Sequence, residues 1–137
     1  MSLFNVFDIA GSAMSAESVR LNVTSSNLAN AQTIGDSEAT TYHARQPVFS
    51  AVMQSLRGDT VPGGVRVAGI LESQQKLESR YQPDSPLANE EGYVFLPNVN
   101  VVDEMANMIS ASRAYETNVE VMNTSKQLML ATLRMGQ

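Results

Sequence analysis

Cysteine is missing from all 137 residues, which excludes disulfides, thiolate catalysis and the commonest zinc sites, and suits a chain that crosses into an oxidising compartment. Tryptophan is also absent and aromatics make up 6% against 43% hydrophobic residues overall, so a core can form but is thin. Basic charge is scarce: 9 Lys and Arg face 14 Asp and Glu, for a net charge of -5. With no basic stripe anywhere, a nucleic-acid partner is not expected. No apolar run reaches membrane-spanning length, and the first twenty residues lack a basic start followed by an apolar core. Neither a transmembrane helix nor a cleaved signal peptide is expected.

Signals for chemistry are as sparse. His43 is the one histidine, it has no second ligand beside it, and it reads as a structural residue rather than a general base. Glu90 with Glu91 and Asp103 with Glu104 are adjacent pairs, whose carboxylates point apart on a turn or helix instead of facing as a dyad. Gly63 and Gly64 precede no helix carrying Lys and Ser or Thr, so they form no phosphate loop. No serine sits in a nucleophile elbow. The expectation is a protein with no catalytic, metal or cofactor site and no small-molecule substrate.

What the chain does have is two helical ends. Leu3, Phe7, Ala10, Met14, Leu21 and Leu28 step by three and four through Met1–Ile34, a heptad seam. The flanking positions are small, Gly11, Ser12, Ala13, Ser15, Ala16 and Ser18, and only Asp8, Glu17 and Arg20 are charged. A helix so poor in charge wants neighbours on several sides. The far end repeats the design with Met105, Met108, Ser112, Tyr115, Val119, Met122, Lys126, Met129 and Leu133. Asn100 is its expected N-cap, Asp103 and Glu104 suit the first turn, Lys126 and Arg134 the last, and Gly136 the stop. From Val101 to Met135 this helix would run roughly 50 Å. The two seams are expected to zip together, and the lone chain's ends to order fully only when neighbours bury their small-residue faces as well. The methionines read as plain packing, and Asn22, Asn27, Asn30, Asn107, Asn118 and Asn123 as either exposed polar positions or register-fixing ones.

Between the helices Gly58, Pro62, Gly63 and Gly64 punctuate a stretch that alternates rather than spirals. Strands are expected in Tyr42–Met53, Val65–Leu71 and Tyr93–Leu96, the first at a sheet edge because of Pro47, with Glu90, Glu91 and Gly92 in a turn. The fold class is α+β: an antiparallel coiled coil of residues 1–34 and 100–137 carrying a small β-rich insert at 35–99.

The motifs add a resemblance. SNLANAQT at Ser26–Thr33 closes a helix that begins SLFNVFDIAGSAM, and SASRAYETNVEVMN at Ser110–Asn123 spaces Arg113, Tyr115 and Asn118. With YVFLPNVNVVDEM, YHARQPVFS and YQPDSPLANEEGYV these resemble the flagellar rod and hook family, over both helical ends most strongly. The resemblance implies a structural subunit of the proximal basal-body rod, exported unfolded through the flagellar type III apparatus. Its terminal helices would form the inner layer of a tube that passes torque from motor to hook. It implies as partners the chain itself, other rod proteins and, at the rod base, the membrane ring or export gate, on the periplasmic side of the inner membrane. Packing between subunits is then expected from Leu3, Phe7, Met14, Leu21, Leu28, Met105, Tyr115, Val119, Met122, Met129 and Leu133, and register from Asn27, Asn30, Arg113 and Asn118. Another axial subunit, or a helical-bundle export adaptor or binding module, are the alternatives.

Overall fold

A computed structural model describes residues 3–56 and 59–135. It is an α+β structure in which two long helices enclose, in sequence, two small antiparallel sheets. Helix α1 spans Leu3–Asn30. It closes through a tight turn in which the Thr33 amide and hydroxyl both donate to the Asn30 carbonyl, at 3.1 and 2.8 Å. Helix α2 spans Val101–Met135, the bounds its pattern predicts. Asn100 caps it: Oδ1 accepts from the Val102 amide at 3.0 Å while the Asn100 carbonyl takes the Glu104 amide at 3.0 Å. Asp103 and Glu104 lie in the first turn and Arg134 in the last, each suited to the helix dipole.

Strands β1 (Arg45–Leu56) and β2 (Asp59–Glu72) form a long antiparallel hairpin. Its register slips between Val48 and Phe49 and again between Val52 and Met53. The second slip falls opposite Pro62, Gly63 and Gly64, so these residues, read as punctuation, form a bulge inside β2. A bulge tolerates proline and glycine where a regular ladder does not. Pro47 fits because a two-stranded sheet consists of edges alone. Strands β3 (Glu78–Tyr81) and β4 (Tyr93–Leu96) make a second ladder. β4 matches its expected bounds, whereas β3, fully exposed and written ESRY, has no apolar alternation to announce it. Gly35 bridges to Phe95 by two backbone bonds of 3.0 Å, tying the end of α1 to β4. A Cβ at Gly35 would collide with Thr41. Gly92 takes a positive φ of 82° in the β3–β4 turn, which uses the expected Glu90-Glu91-Gly92 segment. Gly58 and Gly136, read as punctuation, fall outside the described residues, as does the Leu3 side chain.

The helices pack on each other. On α2 the buried residues are Glu104, Ala111 and Ser125, at steps of seven and fourteen, with Asn107, Ala114, Asn118, Met122 and Met129 half-buried along the same stripe. Of the residues read as the seam, Met108, Ser112, Val119, Met122 and Met129 are half-buried whereas Met105, Tyr115, Lys126 and Leu133 are exposed, so the expected seam is covered only in part. Small side chains on the contact line let two helix backbones approach closely, and the bulky residues one position round are left facing outward. α1 behaves alike: Ala10, Ala16, Val23, Thr24 and Asn27 are buried, while Phe7, Met14, Leu21 and Leu28 are only half-covered. Buried apolar residues are mostly small, Ala10, Ala16, Val23, Ala44, Leu77, Val94 and Ala111, the thin core that the composition implies.

Candidate assembly surface

Polar side chains fasten the insert to the helices. Asn27, 1% exposed, donates through Nδ2 to the Arg45 carbonyl at 2.8 Å and accepts through Oδ1 from the Arg45 amide at 2.9 Å. Its amide thus stands in for a strand residue at the start of β1. The Tyr42 hydroxyl donates to the same Oδ1 at 2.8 Å, so three bonds satisfy the buried group. About four turns back along α1, Ser12 Oγ accepts from the Val65 amide at 3.1 Å and donates to the Ile9 carbonyl at 2.8 Å. There Gly64, at φ 149°, comes so close that a Cβ would sit 2.5 Å from Ser12 Oγ. Asn98 makes a clip within the insert, just ahead of α2, accepting from the Ala44 amide and donating to the Gln75 carbonyl, both at 2.7 Å.

Among the residues expected to fix register, Asn27 therefore acts first inside the chain. Asn30 Nδ2 donates to the Ser26 carbonyl and Asn118 Nδ2 to the Ala114 carbonyl, each at 2.8 Å, which are back-bonds within their own helices. Arg113 is exposed and has no acidic partner among the described residues. Ser12 and Asn98 were not singled out by their sequence context. A serine among small residues and an asparagine in PNVN carry no local signal of long-range partners.

Large apolar side chains stay exposed along the length of α2, interspersed with the exposed charges of Asp103, Arg113, Glu116, Glu120, Lys126 and Arg134. Val102 is 74% exposed, Leu133 63%, and Met105, Ile109, Tyr115, Val121, Leu128 and Leu130 are exposed between them. From Lys126 to Met135 only Met129 is even half-covered, so the last three turns project with little against them. The hairpin adds Val48, Phe49, Met53, Ile70 and Leu71. A surface this apolar over continuous elements marks a protein interaction site.

The remaining polar features are those of scaffolding. His43 is half-buried, with Nδ1 3.3 Å from the Ser73 carbonyl and Nε2 3.2 Å from that of Glu38. Asp36 accepts from the Thr40 hydroxyl, and this bond holds its carboxyl below the ordinary value of 3.8. Arg45 bonds Glu72 at 2.9 Å and lies 5.4 Å from the centre of the Tyr42 ring. No group of three His, Asp or Glu residues able to hold a metal ion occurs among the described residues, and none of the described helices is long and apolar enough to cross a membrane.

Long helices with an uncovered apolar face, bearing a β insert clipped on by amides, define a subunit made for assembly. The comparisons give that class its identity. Residues 7–35 match the family described as Flagella basal body rod protein, and residues 90–135 match Flagellar basal body rod FlgEFG protein C-terminal. Over the full length of both chains, the sequence is 52% identical to the flagellar basal-body rod protein FlgC of Yersinia enterocolitica and 50% identical to that of Escherichia coli O157:H7. The FlgC of Salmonella typhimurium is 50% identical over an alignment of 141 positions that covers both chains completely. The chain belongs to the FlgC family of flagellar basal-body rod proteins.

Proposed function

We propose that this protein is a structural subunit of the proximal rod, docking with copies of itself and with other rod proteins into a helical tube that carries torque from motor to hook. The observation that supports this most directly is the number of large apolar side chains that α2 leaves exposed, Val102, Met105, Ile109, Leu128 and Leu133 among them, which a free monomer would leave in water. Residues 1–34 and 100–137 pair as an antiparallel coiled coil in the inner layer, and residues 35–99 sit outside it. Met105, Tyr115, Val119, Met122, Met129 and Leu133 meet neighbouring subunits on one side, and Leu3, Phe7, Met14, Leu21 and Leu28 on the other. Asn27, Asn30, Arg113 and Asn118 hold register. Contacts that repeat without closing build a tube of this kind. The work is mechanical, with no covalent step and no cofactor.

On this reading the chain leaves the cell interior unfolded through the flagellar type III apparatus and assembles on the periplasmic side of the inner membrane, where the membrane ring or export gate meets the rod base. The thin core supports it, since a weakly stable monomer is easily kept unfolded for export. The test exploits the missing cysteines. Single cysteines at Ser18 and Ser110, both exposed, are cross-linked in flagellated cells and their partners identified by mass spectrometry. Adducts to this chain and to other axial proteins are expected. Intramolecular links alone would mean a self-contained helical hairpin.

A further inference from the structure

The charges of this chain are sorted by end. Residues 31–44 and 73–104 hold eight acidic and two basic residues, a net charge of -6 against -5 for the whole chain. The bridge from Gly35 to Phe95 holds the β3–β4 hairpin beside the end of α1, and β4 leads through four residues into α2. Asp36, Glu38, Asp84, Glu90, Glu91 and Asp103, all exposed, therefore gather at one end of the helix pair. That end also leaves Tyr81, Leu87 and Tyr93 uncovered. The far end of α2 is the reverse. From Val121 onward the only charged side chains are Lys126 and Arg134. Both are exposed and have no acidic partner within 4.0 Å among the described residues. Leu128, Leu130, Leu133 and Met135 are exposed around them. With the helices antiparallel as proposed above, the Arg20–Asn107 bond sets Leu3 level with Thr124, because equal numbers of residues span equal lengths. Residues 125–135 then overhang the described start of α1 by about 16 Å. The dipole of α2 accounts for Asp103 in its first turn and Arg134 in its last. It does not reach Lys126, and Asp36, Glu38, Asp84, Glu90 and Glu91 lie outside the helix.

We propose that the overhanging end of α2 docks on the acidic loop end of a second copy of this chain, so that subunits stack head to tail along the helix direction. Lys126 and Arg134 face the carboxylates, while Leu128, Leu130, Leu133 and Met135 are covered against apolar side chains such as Tyr81, Leu87 and Tyr93. The inference rests on the rod reading and adds to it a partner and a polarity for one end of α2. A surface both apolar and basic is complemented by one both apolar and acidic, and the chain carries that second surface at its own opposite end. The two patches differ, so the contact is heterologous and propagates from copy to copy instead of closing on itself. Like ends repel, so the charges select the direction of stacking more than they strengthen it.

The test uses the full chain in flagellated cells. A p-benzoylphenylalanine at Leu130 should photo-cross-link, in isolated basal bodies, to a peptide of this same chain within residues 31–44 or 73–104. A second probe at Gln127, also exposed, guards against a loss of docking caused by replacing Leu130 itself. Leu130 lies about 40 Å along α2 from Val101, so such a link joins two copies. Lys126→Glu with Arg134→Glu, or Glu90→Lys with Glu91→Lys, should each cut the yield about tenfold, and a chain carrying all four substitutions should recover it. The four side chains are exposed, so the circular dichroism of each dilute, purified variant should match that of the parent. Links only to a different protein, or only to helical residues outside those two segments, would overturn the proposal and leave the rod reading standing. So would reversals that leave the yield unchanged, or a fourfold variant that recovers none of it. Absence of the parent chain from basal bodies would remove both.

Discussion

Asn27 carries more of the architecture than any bulky residue, because its one amide serves as the partner of both backbone groups of Arg45. Replacing it with Ala leaves a buried N–H and C=O unpaired and should cost about 2–3 kcal/mol, measured as a shift in the urea midpoint. Asn27→Asp should fare no better, since a carboxylate cannot donate to the Arg45 carbonyl. At Gly64 an alanine meets both an unfavourable φ and the Ser12 hydroxyl, and should lose about 1–3 kcal/mol. Pairing it with Ser12→Ala should recover only the steric share, so the double-mutant cycle separates backbone strain from collision. Asp36 gives a small pH dependence. Its pKa is depressed in the fold, so its contribution is present above the ordinary value of 3.8 and is lost as pH falls through the lower, folded value. Amides of residues 37–41 should lose protection, relative to their intrinsic exchange rates, on acidification, and Thr40→Val should reduce that dependence.

At the scale of elements, α2 and the hairpin matter for opposite reasons. α2 was readable to its ends because the cap, the acidic first turn and the periodicity agree over Val101–Met135. Which face of it turns inward was not. Periodicity locates a stripe of large apolar residues, but the contact with α1 is made by Ala111, Ser125 and Glu104, which are too small or too polar to register as a seam. Part of that stripe stays uncovered in the chain, and local sequence cannot tell an inner apolar face from an outer one. For the strands, β4 was legible as an apolar run, β3 was not, and the bulge at Pro62–Gly64 looked like a break because glycine and proline signal both. The uncovered end of α2 makes a direct test: truncating the chain after Met129 should change the isolated chain's stability by less than about 1 kcal/mol, as expected for exposed positions, yet should abolish incorporation into basal bodies. A large loss of monomer stability would mean the end is packed in the free chain.

For the molecule as a whole, a core built chiefly from alanine and valine, with methionine, leucine and tyrosine displayed outside, inverts the usual distribution of large apolar residues. Stability should therefore depend on company. The helical signal of the purified chain should melt at a temperature that climbs with protein concentration as copies associate, whereas a self-sufficient bundle would melt independently of it. Leu28→Asp and Met122→Asp, at half-covered positions, should prevent rod incorporation without reducing synthesis, because assembly would bury an unpaired carboxylate. The family itself was legible from the motifs around Asn27 and Asn118. The clips at Ser12 and Asn98 emerged only when residues far apart in the chain came together.

The unequal lengths of the helices have one more implication. α1 has 28 residues and α2 has 35, a mismatch of about 10 Å at 1.5 Å per residue. Subunits whose two columns differ in height cannot be stacked with flush ends, any more than bricks laid in a running bond share a continuous vertical joint. In the rod proposed above, staggered ends of this kind would leave no single plane between courses that cuts no helix, and so no ready surface along which a shaft under twist would shear.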